Sequence, residues 1–267
     1  MLAAVGLCVY TPNLQGLCMM DPDPTDIKSI SALLKALAKE HKSQIGLIGF
    51  SFGGTYAVLA SSSPEVAESV RFVLAVGAYY SLESVLERIF SQRRTRNLSP
   101  EATYALCALD WKFRKILPLT EGEIVAYEEL MDHFCSREKH FTPRETALVA
   151  NITGLQQQED IYILWKTRLP EISSLNIEGN PTLESLQASV FLLHSEHDTS
   201  IPVEESLRIA VELTRHHKNV LRYIGRLGDH VTFSIRNDAG LARFFYRIML
   251  LTENQNIRNT WQAEKNT

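Results

Sequence analysis

The stretch from Ser43 to Ser62 constrains this chain most: an apolar run turns at once into a helix of small residues, with one serine at the bend. Ile45 to Ile48 suits a strand buried on both faces, and Thr55 to about Ser62 reads as a helix packed on it. Between them lies Gly49-Phe50-Ser51-Phe52-Gly53, a G-x-S-x-G turn. A serine at so sharp a bend must take strained backbone angles. A Cβ at either flanking glycine is expected to clash where strand and helix nearly touch. The turn holds the Ser51 Oγ clear of the sheet and aims the Phe52 N–H at the place where negative charge would develop. Ser51 is thus a candidate nucleophile and Phe52 a candidate backbone donor. An ordinary glycine-rich turn has the same short pattern, so the weight lies on the strand before it and the helix after it.

A serine of this kind needs a base and a group to orient that base, and the last third of the chain offers both. Ser189 to Leu193 reads as a buried strand running into His194-Ser195-Glu196-His197-Asp198, after which Ile201-Pro202 opens a helix. Asn219 to Ile224 reads as a further strand, followed by Gly225-Arg226-Leu227-Gly228-Asp229-His230 and a helix starting near Asp238. In an open parallel sheet the carboxyl ends of the strands share one edge, which would gather Ser51, Asp198 and His230. Glu196 is a rival to Asp198, but Asp198 lies next to the helix start. Asp229 adjoins His230 in sequence, so its side chain is expected to point away from the ring. His216-His217 reads as a solvated helix end. His194, Glu196, His197 and Asp198 lack the helical spacing that aims two imidazoles at one ion, so no metal is expected.

The rest of the chain fits an α/β; mostly parallel open sheet with helices on both faces. Strands are expected near 4–10, 45–49, 71–77, 189–193 and 219–224. An amphipathic helix from Thr25, a plausible N-cap, to about Lys42 places Ile27, Ile30, Leu33, Leu34 and Leu37 on one face. Strand–helix alternation stops at about Leu82 and resumes at Ser189. The intervening segment reads as almost wholly helical, with capping boxes at Thr120 and Thr142. Residues 1–81 and 187–267 are therefore read as one core and 82–186 as an insertion, rich in Tyr104, Trp111, Phe113, Tyr127, Phe134 and Trp165.

At 267 residues, 45% hydrophobic, the chain can bury a full core. A net charge of -4 with scattered lysines and arginines argues against a nucleic-acid surface. Arg93-Arg94-Thr95-Arg96 reads as a solvated helix end. Cys8, Cys18, Cys107 and Cys135 show no C-x-x-C pairing, and reduced thiols in a cytoplasmic protein are the simplest reading, with Cys8 inside the first strand. No run is long enough to span a membrane.

The order serine, acid, histidine resembles the α/β-hydrolase superfamily, as do Gly-Phe-Ser-Phe-Gly-Gly, Leu-Leu-His-Ser-Glu-His-Asp with Ile-Pro after it, and Gly-Asp-His. The resemblance covers most of the chain. It implies Ser51 as nucleophile, His230 as general base and then acid, and Asp198 as the group that orients the imidazole. It also implies an insertion that forms a helical cap and a small-molecule ester substrate, with no cofactor. The aromatic cap favours an apolar acyl or aryl group. The resemblance has one gap. Ala4 to Tyr10, with the Thr11–Gly16 turn after it, matches the family's fourth strand, so nothing corresponds to the first three. The third normally supplies the second oxyanion donor, and losing one donor costs about 2.7–4 kcal/mol. Three explanations stand side by side: a shortened sequence, from which an upstream signal would also be missing; a reduced sheet whose first strand pairs with the elbow strand, the second donor coming from elsewhere, for instance Thr11–Gly16; or a non-catalytic relative.

Overall fold

The computed structural model describes residues 8–18, 22–41, 45–94, 121, 122, 125, 162, 163, 166, 167, 169–198, 200–228 and 239–253. Four parallel strands form one open sheet: β1 (Ile45–Phe50), β2 (Val70–Val76), β3 (Ser189–Ser195) and β4 (Val220–Gly225), in that spatial order. Between and around them run α1 (Gln15–Cys18), α2 (Pro24–His41), α3 (Phe52–Ser61), α4 (Leu82–Arg94), α5 (Val203–Arg215) and α6 (Ala239–Glu253). The register is continuous across the middle, Val73 facing Val190 and Leu74 facing Phe191. Every residue of β3 is buried, as its unbroken apolar run requires of a strand covered on both faces.

Successive side chains of a strand point to opposite faces, and that alternation divides the core in two. Val73, Ala75, Val190 and Leu192 pack with Ile30 and Leu34 of α2, most of α3, and Ile209 and Leu213 of α5. Leu74, Val76, Phe191 and Leu193 pack with Leu241, Phe244 and Ile248 of α6. Helices thus cover both faces. On β1 the cover is partial: Ile48 and Phe50 are exposed.

Three local expectations are corrected. Cys8 to Tyr10 are exposed and form no strand, and residues 1–7 lie outside the described residues. The Tyr10 hydroxyl lies 2.8 Å from His41 Nε2 at the end of α2. Second, α2 starts at Pro24, and the side chain of Asp23, not Thr25, accepts the first free N–H, that of Thr25, at 2.7 Å. Proline at the first helical position has no N–H to satisfy. Third, the end of the segment expected to be helical forms two 3-10 turns, Ser173–Leu175 and Pro181–Ser185. Leu175, Ile177 and Leu183 are fully buried in the core shared with α3 and β3. The capping-box residues Thr120, Glu123 and Thr142 lie outside the described residues.

Candidate active site

β1 delivers Ser51 to the carboxyl edge of the sheet, and α3 starts at the next residue. Ser51 has φ 55° and ψ -126°, angles that a residue with a Cβ adopts at a cost of about 1–3 kcal/mol. Its N–H donates to the Val76 carbonyl at 2.7 Å, so the ladder with β2 runs right up to the bend. Gly49 is what permits the bend: a Cβ there would lie 2.1 Å from the Gly53 carbonyl oxygen. The crowding expected at Gly53 is found one residue later. A Cβ on Gly53 would meet nothing within 4 Å, whereas one on Gly54 would lie 3.0 Å from the Ala78 Cβ. The backbone of Gly53 crowds Gly49 of β1, while Gly54 is the helix residue whose missing Cβ faces Ala75 and Ala78.

Phe52 opens α3, so its N–H is among those that a helix start leaves without an intrahelical acceptor. The positive end of the helix dipole lies at the same place. The helix is held against the segment after β2 by the buried Thr55 hydroxyl, which donates to the Tyr79 carbonyl at 2.7 Å and accepts the Tyr79 N–H at 3.0 Å. The Phe52 and Tyr79 rings sit 4.9 Å apart, and burial pushes the Tyr79 phenol well above its ordinary range.

Asp198 lies just beyond β3 and is buried. Its Oδ1 accepts the N–H groups of Ser200 and Ile201 at 2.9 and 2.8 Å, two donors that suit an ionised carboxylate. Its Oδ2 is 3.4 Å from Nε2 of His194. His194 is fully buried: Nε2 lies 2.9 Å from the Ile201 carbonyl and Nδ1 lies 2.6 Å from the Ser206 hydroxyl. The carbonyl can only accept, so Nε2 carries a ring proton. This histidine pins the acid loop to the first turn of α5. Glu196, the rival carboxylate, is exposed and takes the Arg226 Nε at 3.0 Å. Among the described residues no group of histidines, cysteines and carboxylates could hold a metal ion.

Ser51 directly follows β1 and Asp198 lies three residues beyond the end of β3, so both sit beyond the carboxyl edge of the sheet on strands two apart. Asp229 and His230 lie outside the described residues, and the chain is described as far as Gly228 after β4. His216 caps the end of α5, with Nε2 at 3.5 Å from Glu212, as expected of a helix-end histidine. At the end of the Thr11–Gly16 turn the Gly16 N–H donates to the buried Asp26 carboxylate at 3.0 Å, as does the neighbouring Leu17 N–H at 2.9 Å. No helix among the described residues is long and apolar enough to cross a membrane.

No known family's sequence profile matches the chain, and no curated protein matches it. Among solved structures it is similar to a meta-cleavage product hydrolase from Pseudomonas fluorescens IP01, at 16% identity over 85% of this chain and 70% of that one, with a TM-score of 0.41. It is also similar to an esterase of Pyrococcus furiosus, at 15% identity over 86% of this chain and 61% of that one, with a TM-score of 0.44. A third is the acylaminoacyl peptidase of Pyrococcus horikoshii, at 13% identity over 89% of this chain and 29% of that one, with a TM-score of 0.46. The chain spans less than two thirds of the length of the esterase and less than a third of that of the peptidase. Each of these likenesses is one of overall fold, at low sequence identity.

Proposed function

We propose that this chain is an α/β-hydrolase that cleaves carboxylic esters or thioesters with an apolar acyl or aryl group through Ser51, His230 and Asp198. The observation that carries the reading is Ser51 itself, held at φ 55° between a glycine that cannot bear a Cβ and the start of a helix. A strained non-glycine residue at the carboxyl edge of a parallel sheet is where nucleophiles sit. In the proposed reaction His230 takes the Ser51 proton as Oγ attacks the substrate carbonyl carbon. The carbonyl electron pair becomes an oxyanion, held by the Phe52 N–H and the positive end of α3. Collapse expels the alkoxide or thiolate, which leaves with the proton from His230. Water then repeats the attack, His230 taking its proton, and Ser51 is released with the carboxylic acid. Asp198 holds the imidazole and supports its positive charge. The segment 82–186 is proposed to supply the helical cap that shapes the acyl pocket.

A fluorophosphonate probe tests this reading, since it labels only an activated serine. Labelling is expected in the parent chain and lost in Ser51→Ala, and p-nitrophenyl esters of increasing acyl length should be hydrolysed with the same dependence. Absence of both would favour a second reading, a hydrolase-fold binding protein. That alternative draws on β1: among the described residues no strand pairs with its outer edge, where a neighbour would bring the second oxyanion donor. Acyl transfer to an acceptor other than water uses the same triad and would appear as labelling with slow hydrolysis.

A further inference from the structure

We propose that Ser195 is a positioning residue that ties the loop carrying Asp198 to the loop leading to His230, an inference that rests on the triad reading above. Ser195 is the last residue of β3 and is buried. Its hydroxyl donates to the Gly228 carbonyl in a very short hydrogen bond, and its Oγ accepts the His197 N–H at 3.2 Å. One side chain therefore holds both loops. Around it the two strands are already in register, the Glu196 N–H donating to the Gly225 carbonyl at 3.0 Å. After β4 the chain bends tightly, the Leu227 N–H donating to Gly225 at 3.0 Å, and Leu227 is buried against the α6 face. Gly228 then takes φ 99°, a value that turns its carbonyl towards Ser195 and that glycine adopts without strain.

The consequence lies in where the chain goes next. Gly228 is two residues before His230, and Ser195 is three before Asp198. Fixing the Gly228 carbonyl against Ser195 fixes the departure of the base loop relative to the acid loop. Without the hydroxyl, a half-buried carbonyl and an N–H lose their partner, and what still joins the two loops is the strand ladder below and the exposed Arg226–Glu196 ion pair. Proton transfer between positioned groups falls steeply with small displacements. The hydroxyl should matter to turnover more than to substrate binding.

The test compares the parent with Ser195→Ala and Ser195→Thr, using a p-nitrophenyl ester that the parent hydrolyses in a Ser51-dependent way. Ser195→Ala is expected to lower kcat by about 10–100-fold while KM stays within about twofold. The acid limb of the kcat profile should also move to lower pH, because a carboxylate aimed less well at the imidazole stabilises its charged form less. Ser195→Thr, which keeps the hydroxyl, should restore most of the rate and the limb. If Ser195→Ala does not fold, Ser195→Cys, with its weak donor, is held to the same criteria. Parent-like kcat and acid limb in a folded Ser195→Ala would overturn the positioning role alone, as would equal losses in the alanine and threonine variants. No Ser51-dependent turnover in the parent would overturn the triad reading and this role with it.

Discussion

At Ser51 the backbone carries a conformational cost. Its φ of 55° and ψ of -126° would be free of steric penalty for glycine, at the expense of about 0.5–1 kcal/mol of unfolded-state entropy. Relief of strain of about 1–3 kcal/mol outweighs that loss. Ser51→Gly should therefore be more stable than the parent by about 1 kcal/mol, seen as a higher urea midpoint, while probe labelling disappears. A lower midpoint would mean that the serine is held by contacts stronger than the strain. The glycines around it differ from each other. Gly49→Ala would push a Cβ into the backbone of Gly53, which cannot swing aside, and should cost about 3 kcal/mol or more. Gly53→Ala meets open space inside a helix, where alanine is favoured by about 0.8–1.0 kcal/mol, and should be neutral or stabilising. Equal damage from the two substitutions would contradict the geometry described for the bend.

Elements are joined by side chains that no local pattern announces. Glu205, in the first turn of α5, is buried and accepts the N–H groups of Tyr80 and Ser81 at 2.9 and 3.0 Å and the Ser84 hydroxyl at 2.9 Å. It thereby holds the start of α4, where the chain leaves the sheet for the segment 82–186. The partners are 125 residues apart, so neither end of the contact marks itself in the sequence. Glu205→Ala would leave two backbone donors unsatisfied and should cost about 2–4 kcal/mol by urea unfolding, a loss under 0.5 kcal/mol counting against the anchor. The strands were legible for the opposite reason. Val70–Val76 and Ser189–Ser195 are largely apolar runs bounded by turn residues, and a buried parallel strand needs nothing more, whereas Ile45–Phe50 forms the expected strand but is not buried on both faces, Ile48 and Phe50 being exposed. Cys8–Tyr10 has a similar composition but is exposed and forms no strand, and the Tyr10 hydroxyl contacts His41. At the site, the serine and its bend were legible because their constraint is local. Asp198 and Glu196 differ in burial, a difference the sequence signalled only through the helix that follows Asp198. The role of Ser195 was not legible, since its partner lies on another loop.

Across the whole molecule, the two faces of the sheet are unequal in chemistry. The α6 face is packed with hydrocarbon and aromatic rings, with the edge of Phe191 set against Phe244 at 6.0 Å between centroids. The α3 face buries two phenols, Tyr56 and Tyr79, both fully out of solvent, and Tyr79 donates to the Leu175 carbonyl at 2.9 Å. Burial raises the pKa of each, the charges of Asp26 and Asp23 adding to the effect at Tyr56 and that of Tyr56 at Tyr79. The sign follows from which state can release the proton. Below about pH 10 both folded and unfolded chains hold neutral phenols, and stability is unaffected. Above it the unfolded chain loses protons that the folded chain keeps, so stability falls with rising pH until the folded phenols titrate. Each tyrosine should contribute a slope of about 1.4 kcal/mol per pH unit in that range. Urea midpoints measured from pH 8 to 11 should stay level and then drop. Tyr79→Phe should be slightly less stable at pH 8, where it loses the bond to Leu175, yet lose less stability than the parent on the way to pH 11. Parallel curves for the two proteins would show that Tyr79 reaches solvent before the chain unfolds, and that the α3 face opens ahead of the rest.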